Sequence, residues 1–233
     1  MSSSQYRVGW AERSDAQQKS INAFKLGLAA LTADLRRSAA PLRLIAILLA
    51  AALCACSGEQ AKFNGIDLTA TKQEKDLRFS LSDLEGKERT LEDFRGSYLM
   101  VFYGFTQCPD VCPTTLARAV EVRKMLGADA AKVKVIFISV DPDRDTAELL
   151  RDYLRAFDPE FVGLRGTGEQ TRDAAKALNV FYEKVPSGSS YTINHTAITY
   201  VFDPKGRLRL GMRHTQEADE YVADLRTLMK QES

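Results

Sequence analysis

Two of the four cysteines, Cys108 and Cys112, stand in the spacing C-x3-C, and a proline follows each of them. On a helical turn, residues four positions apart share one face, and their β-carbons lie roughly 5–6 Å apart. Two sulfurs at that separation can bind one metal ion. They can also close to a disulfide, because Cα separations up to about 6.8 Å are tolerated. The spacing favours a metal site, but it leaves redox chemistry and a pair of buried structural cysteines open.

The local sequence also favours the thiolate form of Cys108, which metal binding and redox chemistry both require. A helix is expected to begin at about Pro109 or Pro113 and to end at Leu126, before Gly127. Pro109 suits the first helical position, which would place Cys108 near the helix N-terminus. The helix dipole stabilises negative charge there and lowers the pKa of a thiol.

Alternating strands and helices are predicted around the cysteine pair. Residues 98–105 (YLMVFYGF) and 133–140 (VKVIFISV) are continuous apolar runs, as expected of strands that are buried on both faces. A hairpin is predicted before them, with residues 79–81 and 89–91 on either side of a Glu-Gly-Lys turn. Further helices are predicted over residues 146–156, 171–178 and 217–229, and further strands over 161–164, 198–202 and 208–212.

This order predicts an α/β fold of the thioredoxin-like type, in which a central mixed β-sheet is flanked by helices and extended by an N-terminal β-hairpin. In such a fold, the loop before the strand at 198–202 faces the cysteine pair. Thioredoxins carry a cis-proline in that loop, whereas this chain carries His195. The second histidine, His214, follows the last strand and is expected to be solvated.

Cys108, Cys112 and His195 therefore form a predicted metal site with two sulfur donors and one nitrogen donor. Two thiolates and an imidazole suit Cu(I), Cu(II) or zinc. A three-coordinate site is natural for Cu(I), whereas zinc needs a fourth ligand, which Asp110 or Asp143 would have to supply. One copper ion per chain is expected, with zinc as the alternative.

The loop at residues 141–145 (DPDRD) has two interpretations. It could form a docking surface for a partner. Alternatively, its end could cap the following helix, with Asp145 or Thr146 at the helix N-terminus. The cap is the favoured interpretation.

The first 55 residues are predicted to be a leader with a lipoprotein-type signal peptide. Residues 44–53 (LIAILLAAAL) carry no polar side chain, but ten helical residues reach only about 15 Å, half of the hydrocarbon core of a bilayer. Basic residues precede this run and small residues follow it, which is the order of a signal peptide. The end of the segment, LCACS, resembles a bacterial lipobox and implies cleavage after Ala55 and lipidation of Cys56. An uncleaved short anchor or a buried helix is the alternative.

The predicted organisation is a leader and signal peptide over residues 1–55, a polar linker over 56–76 and a thioredoxin-like copper-binding domain over 77–233. Seven of the 32 basic and three of the 31 acidic residues lie in the leader, which leaves 25 basic and 28 acidic residues. The chain after the leader therefore has a net charge of −3 (25 − 28) and lacks the excess of basic residues that nucleic-acid binding needs. We expect a lipoprotein that is anchored to a membrane of the bacterial cell envelope and faces the periplasm.

Three motifs resemble the Sco/SenC family of copper-binding proteins, which act in the assembly of cytochrome c oxidase. They are residues 104–116 (GFTQCPDVCPTTL), residues 139–146 (SVDPDRDT), and residues 194–196 (NHT) with 202–207 (FDPKGR) behind them. The resemblance runs from about residue 63 to residue 229, and it implies that Cys108, Cys112 and His195 are the copper ligands. Members usually have one transmembrane helix, so the lipoprotein-type signal is a departure from the family pattern.

The resemblance further implies that the chain delivers copper to the dinuclear centre of cytochrome c oxidase subunit II, or reduces the cysteines of that centre. A disulfide between Cys108 and Cys112 would block copper binding, so a thioredoxin-like reductant is an expected partner. Two other hypotheses stay open. One is a thiol–disulfide oxidoreductase or peroxidase, in which His195 is dispensable. The other is a copper or redox sensor, which retains the ion tightly.

Overall fold

The computed structural model describes residues 62–71 and 79–231. The predicted leader and signal peptide, including Cys54 and Cys56, lie outside the described residues. The described residues belong to one compact unit that spans residues 61–233. Within these ranges, no helix has the length and apolar character that crossing a membrane would require.

Ten strands and four α-helices form the described part of the chain. The strands are β1 (Ile66–Asp67), β2 (Ser80–Asp83), β3 (Glu88–Thr90), β4 (Tyr98–Gly104), β5 (Val133–Ser139), β6 (Val162–Arg165), β7 (Tyr182–Ser187), β8 (Ser190–His195), β9 (Ile198–Phe202) and β10 (Leu208–Arg213). The α-helices are α1 (Val111–Leu126), α2 (Ala147–Arg155), α3 (Gly168–Ala177) and α4 (Ala218–Gln231), and short 3-10 helices span Leu91–Phe94 and Gly127–Lys132.

Eight of the strands form one mixed sheet in the order β1-β10-β9-β4-β5-β6-β2-β3. Strands β4, β5 and β6 run parallel to one another, while the remaining pairs in this sheet are antiparallel. Helix α1 packs with α4, α2 packs on β6, and α3 packs on β2. The predicted mixed sheet with flanking helices and an N-terminal hairpin, β2–β3, is confirmed.

The two longest strands of the sheet, β4 and β5, form the centre of the core. Every residue of β4 is buried, and in β5 only Lys134 is exposed. Burying one large apolar side chain contributes about 1.5–3 kcal/mol, so this strand pair is a main source of stability. Its parallel register runs from Tyr98 beside Val133 to Gly104 beside Ser139. The loops that follow the two strands therefore leave the sheet at the same edge.

Strand β9 brings the segment around His195 to that same edge. It runs antiparallel to β4, with Leu99 opposite Phe202 and Phe102 opposite Thr199. The beginning of β9 therefore lies beside the end of β4. Residues just before β9 are placed next to the residues just after β4.

The structure corrects the prediction that His195 lies in a loop before the strand at 198–202, because His195 is the last residue of a strand, β8. Strands β7 and β8 form a two-stranded antiparallel ribbon, joined by a turn in which Gly188 has a φ of 60°. A positive φ in a two-residue turn is typical of a hairpin. Of the residues in both strands, only Ile193 is buried. The alternation of buried and exposed residues was too weak to predict these strands.

Part of the predicted linker is attached to the domain. Strand β1 pairs with β10 at the edge of the sheet. The buried Asp224 carboxylate accepts hydrogen bonds from the backbone N–H groups of Asn64 at 2.9 Å and Gly65 at 2.8 Å. The expected linker over residues 56–76 is therefore not free of contacts between residues 62 and 71. The Asn64 side-chain amide also donates to Asp224 at 3.0 Å. These contacts join residues 160 positions apart, so no local pattern in the sequence reveals them.

Candidate metal centre

The two sulfurs lie where β4 leads into α1, and this helix starts at a different residue than expected. The N-cap of α1 is Asp110, so the helix begins neither at Pro109 nor at Pro113. A start at Pro109 would place Pro113 beyond the first turn, where its missing N–H would remove a helical hydrogen bond. In the observed helix Pro113 is the third residue, which needs no such bond. Cys108 therefore lies just before the helix, and Cys112 lies in its first turn.

Cys108 is held as a thiolate by donors around its sulfur. The backbone N–H of Cys112 donates to Cys108 Sγ at 3.4 Å. Hydrogen bonds from the Cys112 thiol, from His195 and from backbone N–H groups lower the pKa of Cys108 to about 4, although partial burial opposes the shift. The half-buried Cys108 sulfur is therefore negatively charged at neutral pH, and part of the cause is the helix N-terminus that the sequence indicated.

Cys112 has the opposite character. Its side chain is fully buried, and neither Cys108 nor Cys112 forms a disulfide. The hydrogen bond to Cys108, together with burial, raises the pKa of the Cys112 thiol. Gly104 makes room for this sulfur, because a Cβ at that position would lie 2.8 Å from Cys112 Sγ. A metal ion that binds both sulfurs would displace the Cys112 proton.

His195, the last residue of β8, points its imidazole at the sulfurs. Its Nε2 lies 3.6 Å from Cys112 Sγ, and its Nδ1 lies 3.2 Å from the carbonyl oxygen of Thr196. In the metal-free site Nε2–H is the donor to Cys108. In the tautomer that binds a metal ion, Nδ1–H donates to that carbonyl and the lone pair of Nε2 faces the sulfurs. The rings of Phe102 and Phe105 make T-shaped contacts with the imidazole, at centroid distances of 5.9 and 6.0 Å. The imidazole is thus oriented as a metal ligand.

The three predicted ligands come together in space. Donor atoms of Cys108, Cys112 and His195 lie within 4.8 Å of one another, and no other group of this kind occurs in residues 62–71 and 79–231. Metal bonds of about 2.3 Å to sulfur and about 2.0 Å to nitrogen, spread at trigonal angles, would separate the two donors by roughly 3.7 Å. The distance of 3.6 Å between Cys112 Sγ and His195 Nε2 matches this value. The donor set fits a soft or borderline ion held by three ligands.

The structure brings no carboxylate into this group from the part of the chain that it describes. Asp110 and Asp143, the proposed fourth ligands for zinc, lie outside it. The Asp143 carboxylate instead accepts a hydrogen bond from Lys184 Nζ at 2.6 Å. His214 is exposed and also lies outside the group, as predicted. The arrangement favours a three-coordinate ion over tetrahedral zinc.

The sequence profile of the SCO1/SenC family matches residues 68–230. This chain belongs to the SCO1/SenC family. It is 36% identical over 132 residues to a SCO2-like protein of Rickettsia prowazekii, which covers 55% of this chain and 64% of the relative. It is 34% identical over 156 residues to the human mitochondrial SCO1 homolog, which covers 65% of this chain and 52% of that protein. The chain thus spans between half and two thirds of these relatives.

Solved structures of the family agree with the fold. The structure of Bradyrhizobium japonicum ScoI with copper bound is 40% identical and superposes with a TM-score of 0.60, covering 64% of this chain and 96% of that one. The predicted thioredoxin-like fold and the resemblance to the Sco/SenC family are both confirmed.

The loop after β5 is hydrogen-bonded to the residues that precede the two cysteines. Thr146 caps α2, because its hydroxyl accepts the N–H of Leu149 at 3.1 Å, which confirms the cap prediction. The buried Asp145 carboxylate accepts the hydroxyls of Ser139 and Thr106, each at 2.6 Å. Its burial raises the pKa of Asp145. Asp145 thus joins the residues just before the cysteines to the end of β5. The sequence did not predict this contact, because a carboxylate before a helix is an ordinary cap signal.

Proposed function

We propose that this chain is a copper metallochaperone. Cys108, Cys112 and His195 hold one copper ion, which the protein delivers to the dinuclear copper centre of cytochrome c oxidase subunit II. The observation that carries the proposal is the convergence of two sulfurs and one imidazole nitrogen within 4.8 Å. Membership of the SCO1/SenC family and the copper in the Bradyrhizobium relative support it.

The exposure of the three ligands suggests how copper enters and leaves. Cys108 and His195 are half-buried, whereas Cys112 is fully buried. Ligands of a donor or acceptor protein can therefore approach the ion from the side of Cys108 and His195. Transfer then proceeds by ligand exchange, in which an acceptor ligand replaces one of the exposed donors and the bond to Cys112 breaks last.

A second candidate is the reduction of acceptor cysteines, which the unequal pKa values of the two thiols favour. The Cys108 thiolate attacks an acceptor disulfide and forms a mixed disulfide, while the other acceptor sulfur leaves as a thiolate. Cys112 then gives up its proton and attacks Cys108 Sγ, which releases the second acceptor thiolate. Two electrons pass to the acceptor, and a disulfide remains in the chain. A thioredoxin-like reductant would have to restore both thiols.

We also propose that lipidated Cys56 anchors the protein to a membrane of the bacterial cell envelope, with the domain at residues 77–233 facing the periplasm. The apolar run and lipobox-like residues support this proposal. Substitution of Cys56 by serine should release the protein from the membrane fraction, whereas the matched control Cys54→Ser should stay bound. Equal release of both variants, or of neither, would contradict the proposed anchor.

Anaerobic titration of the reduced full-length protein with Cu(I) tests the proposed copper site. We expect saturation at one equivalent in the unchanged protein and in the control variant His214→Ala, which alters an exposed histidine outside the site. Cys108→Ser and Cys112→Ser should lose tight binding, and His195→Ala should bind more weakly while its thiols still cycle to a disulfide. Equal binding by His195→Ala would contradict the three-ligand site.

Delivery needs a separate measurement. The copper-loaded protein is mixed with a copper-free fragment of oxidase subunit II that carries the dinuclear centre, and the copper in each protein is determined after separation. Copper in the fragment supports the metallochaperone. Reduction of an oxidised fragment without copper transfer would support the reductant instead. Retention of copper together with no reduction would favour a sensor.

A further inference from the structure

The ribbon that carries His195 needs an anchor outside itself. Strands β7 and β8 pair with each other and form a sheet that is separate from the main one. Only Ile193 is buried in these two strands. An isolated two-stranded hairpin is marginally stable at best in water. The position of the imidazole therefore depends on contacts between the ribbon and the rest of the domain.

Arg144, in the loop after β5, contacts both halves of the metal centre. Its Nη1 donates to the carbonyl oxygen of Tyr191 at 2.8 Å and to Gln107 Oε1 at 3.0 Å. Its guanidinium carbon lies 3.7 Å from the centroid of the Tyr191 ring. Gln107 directly precedes Cys108, and Tyr191 lies four residues before His195. One side chain thus joins the turn that carries Cys108 and leads into Cys112 (the cysteine turn) to strands β7 and β8, which carry His195 (the histidine ribbon).

A buried carboxylate holds Arg144 in place. Asp141 is fully buried, and it accepts a hydrogen bond from Arg144 Nε and another from the Tyr191 hydroxyl at 2.7 Å. Because Arg144 is only 16% exposed, water screens this ion pair weakly. Lys184 adds a second contact, since its Nζ lies 4.5 Å from the Tyr191 ring centroid and bonds to Asp143. That pair is largely exposed and should contribute less.

We infer that Arg144 is a positioning residue for the metal centre. Its contacts hold the ribbon against the cysteine turn. They thereby keep the His195 imidazole within reach of a metal ion that is bound to the two sulfurs. The inference rests on the proposed copper site. The planar guanidinium stacks on a ring while donating to a carboxylate and a carbonyl at once, which the single ammonium of a lysine cannot do.

A double-mutant cycle on copper affinity tests this inference. The Cu(I) affinities of the reduced full-length protein, Arg144→Gln, His195→Ala and the double variant are measured by competition with a chelator. Arg144→Gln should weaken binding by about 10- to 100-fold, the range for groups that orient a metal ligand. In the His195→Ala background the same substitution should have no further effect. An equal loss in both backgrounds would overturn the inference, because Arg144 would then act on the sulfurs or on the whole fold.

Arg123→Gln is the matched control. Arg123 is 15% exposed, pairs with Asp158 at 3.2 Å and donates to the carbonyl of Val133 at 3.2 Å. It lies near the end of α1 that is opposite the cysteines, so its substitution removes a comparable arginine without touching the ribbon. Copper affinity should stay unchanged in this variant. A loss equal to that of Arg144→Gln would contradict the proposed role.

Amide hydrogen exchange of the copper-free proteins gives an independent readout. Arg144→Gln should speed exchange in β7 and β8 by roughly tenfold or more while leaving β4 unchanged. Arg123→Gln should leave the ribbon as it is. Unchanged exchange in the ribbon of Arg144→Gln would overturn the inference. If His195→Ala binds copper as tightly as the unchanged protein, the proposed copper site fails, and hydrogen exchange still decides whether Arg144 anchors the ribbon.

Discussion

The cysteine turn and the histidine ribbon are two halves of one candidate site, but they are built in different ways. The turn follows β4, in which every residue is buried, and Cys112 is itself buried beneath the surface. The ribbon has a single buried residue, Ile193, and packs the partly buried Tyr182 and Tyr191 against the core. The polar contacts of Arg144 and Tyr191 hold it further. Core packing places the sulfurs, whereas the imidazole depends on its contacts with Phe102 and Phe105 and on the hydrogen bonds and stacked guanidinium that hold the ribbon.

This difference bears on how the proposed metallochaperone would release copper. A segment with few buried apolar contacts opens locally at a lower free energy than the core does. The imidazole can therefore withdraw without unfolding of the domain, while the sulfurs stay in place. We expect substitutions beneath the sulfurs to lower the stability of the whole domain, and substitutions around the ribbon to change metal binding alone.

The largest effect is expected from Cys112→Ser. This substitution removes the buried metal donor of the cysteine turn, the half of the site that core packing places (the core half). A serine hydroxyl is a hard donor that does not ionise at neutral pH, so it cannot replace a thiolate for a soft ion. Cu(I) affinity should fall by more than the roughly 100-fold that loss of an outer-shell partner costs. Competition with a Cu(I) chelator measures it. A loss smaller than that caused by Arg144→Gln would reverse the proposed ranking of the two halves.

The two cysteines themselves should differ strongly in reactivity. A free cysteine has a pKa of about 8.5 and loses its thiolate below that pH. The pKa of Cys108 is lowered to about 4, so its thiolate should persist at pH 6 and disappear only as the pH falls through 4. The rate of alkylation of the metal-free protein by iodoacetamide, with the modified residue identified by mass spectrometry, checks this profile. A midpoint near 8.5, or faster modification of Cys112, would contradict the assignment.

Gly104→Ala tests the packing beneath the sulfurs. The added Cβ would lie 2.8 Å from Cys112 Sγ and 2.9 Å from the ring of Phe137. Overpacking of this kind costs about 1–3 kcal/mol, so the free energy of unfolding should drop by that amount in a denaturant titration. Gly168→Ala is the control, since its Cβ would meet Arg172 at an ordinary 3.5 Å. Equal stability of the two variants would show that the core half is more compliant than we expect.

Tyr191→Phe should give the smallest effect, and it should fall on the ribbon alone. The substitution removes one hydrogen bond to Asp141 but keeps the ring on which Arg144 stacks. A loss of about 1.5 kcal/mol, the lower end for a hydrogen bond to a charged group, corresponds to Cu(I) binding that is roughly tenfold weaker. The free energy of unfolding should change little. A drop in global stability as large as that of Gly104→Ala would remove the distinction between the two halves.

The sequence predicted the core half of the site, and the buried strands that position it, well. The continuous apolar runs at β4 and β5 could be recognised because nearly every side chain in them is buried. Thr146 was a visible cap, since its hydroxyl acts locally on α2. These features depend on burial or on neighbours in the chain, and both leave a pattern in the residues.

The ribbon half and the edge of the sheet could not be predicted in the same way. The exposed strands β7 and β8 alternate too weakly, although the Gly188-Ser189 turn was a usable signal. Strand β1 has only two residues, both exposed, and it joins the sheet by pairing with β10, so it leaves no pattern of buried side chains. The contacts of Arg144 reach residues 37 and 47 positions away, so only the tertiary structure shows them. That His195 is a ligand stays a prediction from sequence and geometry.

The ligand set can be tested directly by X-ray absorption at the copper edge. Full-length reduced protein and His195→Ala are each loaded with one equivalent of Cu(I) under anaerobic conditions, and the first coordination shells are compared. We predict two sulfur neighbours and one nitrogen neighbour in the unchanged protein, with the nitrogen missing from His195→Ala. Identical first shells in the two proteins would contradict a copper site completed by His195.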